Sequence, residues 1–460
     1  MTAAISQETL SEQVAGYALG LQYEAIPPEV LDRTKQLFLD FLGVTLGGRS
    51  LAEAGPALIQ GASCLAGGAT GPCTVAGEPQ CYPPYYAAFA NAALAHAMDF
   101  DDTHRDAVMH QGTPLFAALL AGSEVAESSG REFLTAAVAG YEIGGRLGLA
   151  HGNRVHLRGF HPTATTGIFA VVAAAGRLGG FDEGTIRNAL GLALSMSAGC
   201  QQFSESGGDN KPVQVGLAAH NALYCLVLAK AGVRGTGLPL EGRFGYYATY
   251  ATEGSDLGGL SFDGPPAQAL QVAVKPYPCC RCSHAAIDAV TLLTAREDLM
   301  PEEIEAIEIA IPPVGYQLVG QQPDLKRRPP TVVDAQFSIY FAAASAALDR
   351  AYSWDSYQKL TDPRLHRLMD RVSVSPSEDI EGMGAKVALV STKGSWDLAV
   401  AFPKGEPEVP LGWREVEAKF RSLAGQGLDP GRIEALIGRV HELDKLARVG
   451  ELAALLRPSL

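Results

Sequence analysis

Apolar side chains recur at helical spacing along most of the first half of the chain. In Pro28 to Leu46, the residues Leu31, Thr34, Leu37, Phe38, Phe41 and Thr45 trace one face, with Pro27 and Pro28 at the start and Gly47 and Gly48 as the expected stop. Similar stretches follow at Tyr86 to Ala97, Thr113 to Ser128, Arg131 to Leu149, Thr166 to Leu178, Asp182 to Ser197 and Val215 to Lys230, divided by Gly- or Pro-containing breaks. Their Ala and Gly content lets neighbours approach closely, which predicts a large helical bundle rather than a solenoid of fixed period. After Gly264 and Pro265 the period changes. Ile307, Ile309 and Ile311 alternate with acidic or small residues, a strand pattern ended by Pro312 and Pro313. Val387 to Val390 and Trp396 to Phe402 flank a turn at Thr392 to Ser395 and predict a hairpin, while Val332 to Leu348 reads as a helix. Helical spacing returns from Gly412 to Leu456, with an apolar face that needs a surface to cover it. The expected fold is mainly α: a large all-helical domain over residues 1–268, a smaller α+β domain over 269–408, and C-terminal helices over 409–460 packing back on the helical domain.

Composition narrows the class. A chain of 460 residues is long enough for two or more domains, and 47% hydrophobic against 19% charged residues is the balance of a globular protein. The net charge of −14 offers no general attraction to nucleic acid or to an anionic membrane surface, so neither partner is expected. No uninterrupted apolar run approaches the roughly 20 residues that cross a bilayer, the longest candidates lying around Ile168 to Ala175 and Phe341 to Leu348. The opening MTAAISQETLSEQ lacks the basic and apolar regions of a secretory signal, and a cytoplasmic protein is expected. Cys279 and Cys282 have C-x2-C spacing with Cys280 between them, but no second pair completes a zinc set. Reduced thiols are expected, an iron–sulfur ligand set being the alternative.

Polar groups gather at the mouths of the predicted helices. His96-Ala-Met-Asp-Phe-Asp-Asp-Thr-His104 ends an Ala-rich helix, and continued helical spacing would set His96, Asp99 and Thr103 on one side. Its carboxylates also suit capping, by Asp101 or Asp102, or a divalent metal held by Asp99, Asp101 and Asp102 in a metal-dependent hydrolase. His110 and His161 each precede an apolar helix, whose N-terminal N–H groups attract anions; a structural or a catalytic histidine fits either position. Lys211 lies at a helix entrance among Gly and Pro residues, where the helix dipole disfavours a cation and an anion is expected to compensate. His284 opens a helix at the proposed domain junction. No dinucleotide fingerprint, P-loop, nucleophile elbow or H-E-x-x-H motif occurs, so no cofactor is expected. His, Lys, Arg, Asp and Thr at helix mouths suit a small, multiply anionic substrate and proton transfer at carbon.

HAMDFDDTH, GFHPTATTG, DNKPVQVG, KPYPCCRCSHAAIDA and DAQFSIYFAAA occur in the order found in the MmgE/PrpD family, which the chain resembles over nearly its whole length. The resemblance implies a large helical domain, an α+β lid domain and a C-terminal return to the helical part. It also implies a cofactor-independent lyase or isomerase acting on a small di- or tricarboxylate, in the manner of 2-methylcitrate dehydratase. Decarboxylation of the cis-aconitate type or epimerisation of the iminodisuccinate type are alternatives, as is an inactive helical binding or scaffold protein. It assigns His161 or His110 as acid and base, and gives carboxylate and carbanion stabilisation to Lys211 and His284. Orientation falls to Asp99 and Thr103, and Tyr316 is the candidate for a tyrosine of the lid. No metal is implied, and a homodimer through the helical domain is expected.

Overall fold

The first long helix, α1 (Pro28–Leu51), runs through the two glycines read above as its stop. Both are points of close approach rather than caps. A Cβ at Gly48 would lie 1.9 Å from the Leu94 carbonyl oxygen, and one at Gly47 would lie 2.9 Å from both the Leu423 side chain and the Met98 sulfur. At Gly48 the obstacle is backbone, and only hydrogen on its Cα lets the neighbouring helix pass. From Gln36 to Gly48 every residue of α1 is buried, so the single apolar face gives way to a helix enclosed on all sides.

The computed structural model describes residues 8–251 and 254–458, and the chain divides into two compact units, Met1–Ala273 with Gly412–Leu460, and Val274–Leu411. The first unit is helical. After α1 come α2 (Pro84–His96), α3 (Gly112–Ala126), α4 (Gly130–His151), α5 (Gly167–Leu178), α6 (Glu183–Met196) and α7 (Asn210–Lys230). Helix α7 starts a turn before the expected Val215. Pro212 is tolerated there because the first N–H groups of a helix have no intrahelical acceptor. It is also long and apolar enough to cross a membrane, which the run-length reading missed, but Val215, Ala218, Ala219, Ala222, Cys225 and Leu226 are buried within the unit, as in a core helix.

The C-terminal helices Trp413–Ala424 and Pro430–His441 belong to this same unit. Phe420 and Leu423 lie against Gly43 and Gly47 of α1. Lys419 pairs with the buried Asp40 at 2.7 Å and donates a hydrogen bond to the Phe100 carbonyl at 2.7 Å. A short antiparallel pair, β1 (Thr103–His104) and β2 (Val272–Ala273), ties the segment after α2 to the far end of the unit's main stretch of chain.

The second unit holds α8 (His284–Arg296), β3 (Ile304–Ile311), α9 (Ile339–Asp349) and a sheet completed by β4 (Val372–Pro376), β5 (Ala385–Ser391) and β6 (Gly394–Val400). The strand order is β4-β3-β5-β6, with β3 and β4 parallel and the other pairs antiparallel. Ile307, Ile309 and Ile311 point inward as their alternation requires, and a bulge between Ile304 and Ala306 keeps Ile304 buried as well. These isoleucines share a core with Ile287, Val290 and Leu293 of α8 and Phe341 and Ala344 of α9. The predicted Val332 to Leu348 helix is broken. Val332–Gln336 ends at Phe337, and the Ser338 side chain then caps α9 by accepting from the Phe341 N–H at 3.1 Å.

Candidate active site

Helix α2 ends at His96 because the chain turns sharply. The Asp99 N–H donates to the His96 carbonyl at 3.2 Å, and Asp99 takes a φ of 49°, in the left-handed region where Asp is among the better-tolerated residues. The expected helical face of His96, Asp99 and Thr103 is therefore not formed. Asp99 leaves the helix, and Thr103 sits in β1 opposite Ala273. The same turn sends three carboxylates in three directions. Asp99 forms an ion pair with Lys211. Asp101 accepts from His96 Nδ1 at 2.7 Å, and His110 Nδ1 lies 3.1 Å from the same oxygen, off the line of a well-formed hydrogen bond. Asp102 accepts from the Gly112 N–H at 3.1 Å and from the Tyr141 hydroxyl at 2.6 Å, so the capping expected of Asp101 or Asp102 falls to Asp102, at the start of α3.

Three imidazoles stand together. The His96 ring lies 4.7 Å from that of His110, edge to face, and 5.5 Å from that of His161, nearly parallel. His110 is fixed through its backbone, its N–H donating to the Thr163 hydroxyl at 3.0 Å and its carbonyl accepting from Thr113 at 3.1 Å. His161 precedes the one-turn helix Pro162–Thr165; its N–H donates to the Gly199 carbonyl at 3.1 Å and its Nδ1 lies 3.0 Å from Gln214 Oε1. Lys211 and Gln214 both project from the first turns of α7. The structure thus gathers Asp99, His110, His161 and Lys211 in the helical unit. His284 and Tyr316 belong to the other unit: His284 is the first residue of α8, with Nε2 3.2 Å from the Cys279 carbonyl and its ring 5.2 Å from that of Tyr277.

The cluster also contains His96 and Gln214, which the sequence reading gave no role in binding or catalysis, and Asp101, which it considered only as a cap or a metal ligand. His96 and Asp101 lay inside the motif already singled out. Gln214 is three residues beyond Lys211 on the same helix, a spacing that sets the two on one side.

Burial governs the protonation of the cluster. It would raise the Asp101 carboxyl, but the His110 and His96 imidazoles outweigh it and hold the group well below the ordinary carboxylate range. Burial lowers His96, despite the Asp101 carboxylate beside it, and pushes His110 down to about 3. It also lowers His161 well below the ordinary imidazole range, helped by His96, the Lys211 ammonium and His110. Asp102 moves the other way, raised by burial to about 7 although Tyr141 and Gly112 donate to it. At neutral pH the arrangement is one carboxylate among neutral imidazoles, with Lys211 and Asp99 alongside.

Ligand atoms of His96, Asp101 and His110 lie within 4.8 Å of one another, close enough to admit a divalent ion. The fit is nevertheless poor. Both ring nitrogens approach the same carboxylate oxygen at hydrogen-bond separations, and the Lys211 ammonium adds positive charge beside two of the rings. The three carboxylates of the metal-dependent reading, Asp99, Asp101 and Asp102, each engage different partners and form no ligand set.

A helical unit and an α+β unit, with proton-transfer and cationic side chains clustered in the helical one, fit a class of carbon–carbon and carbon–oxygen lyases. Residues 12–256 match the MmgE/PrpD N-terminal domain and residues 277–443 the MmgE/PrpD C-terminal domain; the chain belongs to the MmgE/PrpD family and is a lyase of that kind. It is 27% identical to a cis-aconitate decarboxylase of Aspergillus terreus over 97% of this chain and 96% of that protein. It is 28% identical to the cis-aconitate decarboxylase of Mus musculus, over 98% and 94% of the two chains, and 28% identical to that of Homo sapiens, over 98% and 95%.

Proposed function

We propose that the protein is a polycarboxylate lyase that removes CO2 from a small unsaturated tricarboxylate of the cis-aconitate kind. The observation that carries this reading is the buried group of three imidazoles beside the Lys211–Asp99 pair. The nearly full-length similarity to cis-aconitate decarboxylases puts loss of CO2 ahead of the 2-methylcitrate-type dehydration that the motif resemblance suggested first.

The chemistry needs a proton donor and a cation, and no electron carrier. A carboxylate on the carbon next to a C=C bond departs as CO2. The electron pair of the broken C–C bond forms a new C=C bond, and the old π pair takes a proton at its far carbon. A trianion and one proton thus give a dianion and CO2. In this reading Lys211 neutralises a retained carboxylate and the charge that develops as the bond breaks, while His161 or His110 supplies the proton. Their low proton affinity reflects burial and neighbouring positive charge, and a substrate carrying three negative charges reverses that balance. The imidazole that was neutral becomes the acid when substrate binds. Correctly placed acid and base groups contribute roughly 10² to 10⁴-fold. In this reading Asp99 aligns Lys211, Thr103 orients a carboxylate by hydrogen bonding, and His284 and Tyr316 take the stabilising and substrate-binding roles implied by their motifs.

The test is a substrate panel of cis-aconitate, 2-methylcitrate, citrate and iminodisuccinate, followed by proton NMR in deuterated water. CO2 release from cis-aconitate with one deuterium in the product is expected. Exchange or water loss on another member would reassign the reaction to epimerisation or dehydration. Neither turnover nor deuterium uptake on any member would refute the decarboxylation reading and put the substrate outside this panel.

A further inference from the structure

The Gln214 side chain fixes which nitrogen of His161 carries the proton. Its Nε2 is 2.9 Å from the Cys200 carbonyl oxygen, which can only accept, so the amide NH2 must face that side. Its Oε1 then faces His161 Nδ1 at 3.0 Å, and because this oxygen is also only an acceptor, Nδ1 must bear the hydrogen. A flipped amide would set two acceptors against each other at the Cys200 contact, and an unprotonated Nδ1 would do so at the His161 contact. His161 Nε2 is left with its lone pair. That atom is buried and finds no hydrogen-bond partner among the described residues, while its ring stacks on His96 and meets Phe203 edge to face.

We propose that Gln214 is a positioning residue that locks His161 in the Nδ1–H tautomer, so that Nε2 is the atom through which His161 takes up and returns the reaction's proton. Proton traffic through Nδ1 is closed by this bond. The side chain sits three residues from Lys211 on α7, so one helix sets both the cation and the tautomer of the base. The inference rests on the lyase reading above for its consequence in turnover, but the tautomer is a property of the ligand-free protein.

Protein labelled with ¹⁵N-histidine is examined by long-range ¹H–¹⁵N correlation at neutral pH, without ligand, the His161 signals being identified by their loss in His161→Gln. Wild type is expected to show a protonated Nδ1 and an unprotonated Nε2 at His161. Gln214→Met, which keeps the length of the side chain without its acceptor, should lose that pattern, and Gln214→Glu, which keeps an acceptor, should retain it. In turnover, Gln214→Met should lower kcat by on the order of 10²-fold with KM within about threefold, as loss of the correct tautomer does in acid–base catalysis. A His161 protonated at Nε2 in wild type would overturn the proposal, as would an unchanged tautomer and kcat in Gln214→Met. Absence of turnover of cis-aconitate in wild type would instead remove the decarboxylase reading, while the spectra still decide the tautomer.

Discussion

Lys211 and Asp99 are separated by more than a hundred residues yet form one ion pair, and the consequences of removing either partner follow from that. Lys211→Ala should lower turnover by on the order of 10² or more, because it deletes the cation that faces the departing charge. Lys211→Arg should restore only part of it, since a planar guanidinium does not occupy the volume of a compact ammonium. Melting temperatures of both variants should stay near wild type, and steady-state rates with unchanged kcat would rule the assignment out. A second test concerns pH. Burial lowers His151 to about 4, with Nε2 against the Thr166 hydroxyl at 2.9 Å and Nδ1 donating to the Gly152 carbonyl at 2.8 Å. A histidine whose folded pKa lies below its unfolded value of about 6.5 favours the folded state fully above that pH and loses its contribution as pH falls toward 4. Wild type should therefore lose melting temperature relative to His151→Gln as the pH is lowered from about 7 to 5; a constant difference between the two melts would refute this.

Helices α1 and α2 meet where Gly48 passes the Leu94 carbonyl, and the tightness of that crossing makes a local prediction. Gly48→Ala would place a methyl group 1.9 Å from a backbone oxygen, a contact that only a shift of one helix can relieve. Overpacking of this kind costs about 1 to 3 kcal/mol, and the upper end is expected because the obstacle is backbone rather than a side chain that can rotate. Denaturant unfolding should show the loss directly. Gly61, on a neighbouring helix with open space around it, serves as the control that should tolerate Ala. The C-terminal helix Trp413–Ala424 has a comparable effect by charge: Lys419 compensates Asp40 and holds the Phe100 carbonyl, one residue from both Asp99 and Asp101.

Taken as one protein, the chain is expected to need no divalent ion. Dialysis against a strong chelator should leave turnover of the best substrate in the panel unchanged; loss of activity restored by a single metal would bring back the metal-dependent reading. Homodimer formation through the helical unit, expected from the sequence, remains a proposal. Leu217, Tyr224 and Val227 of α7 are exposed at spacings of seven and three residues and give it an apolar stripe. Light scattering at micromolar concentration should return twice the chain mass, and monomer mass would discard it.

The helices, the change of period after Gly264 and the strand at Ile307 to Ile311 were legible because each is a local repeat of apolar residues, and local repeats survive in any tertiary arrangement. So were the residues at the helix mouths, since His110, His161, Lys211 and His284 stand beside helix starts that sequence can locate. What sequence alone could not supply was direction. Gly47 and Gly48 read as a stop because the demand that overrides them comes from Leu94 and Leu423, residues remote along the chain. Asp99 read as helical because its left-handed backbone is imposed by the turn into β1. Gln214 carried no signal of its own, and Asp101 was read as a cap or a metal ligand, since a carboxylate that touches two histidines and an amide that faces a third show their partners only when the fold closes around them. Apolar periodicity is written in neighbouring residues, whereas the partners of a buried polar group are chosen by distant ones, and only the folded chain brings those together.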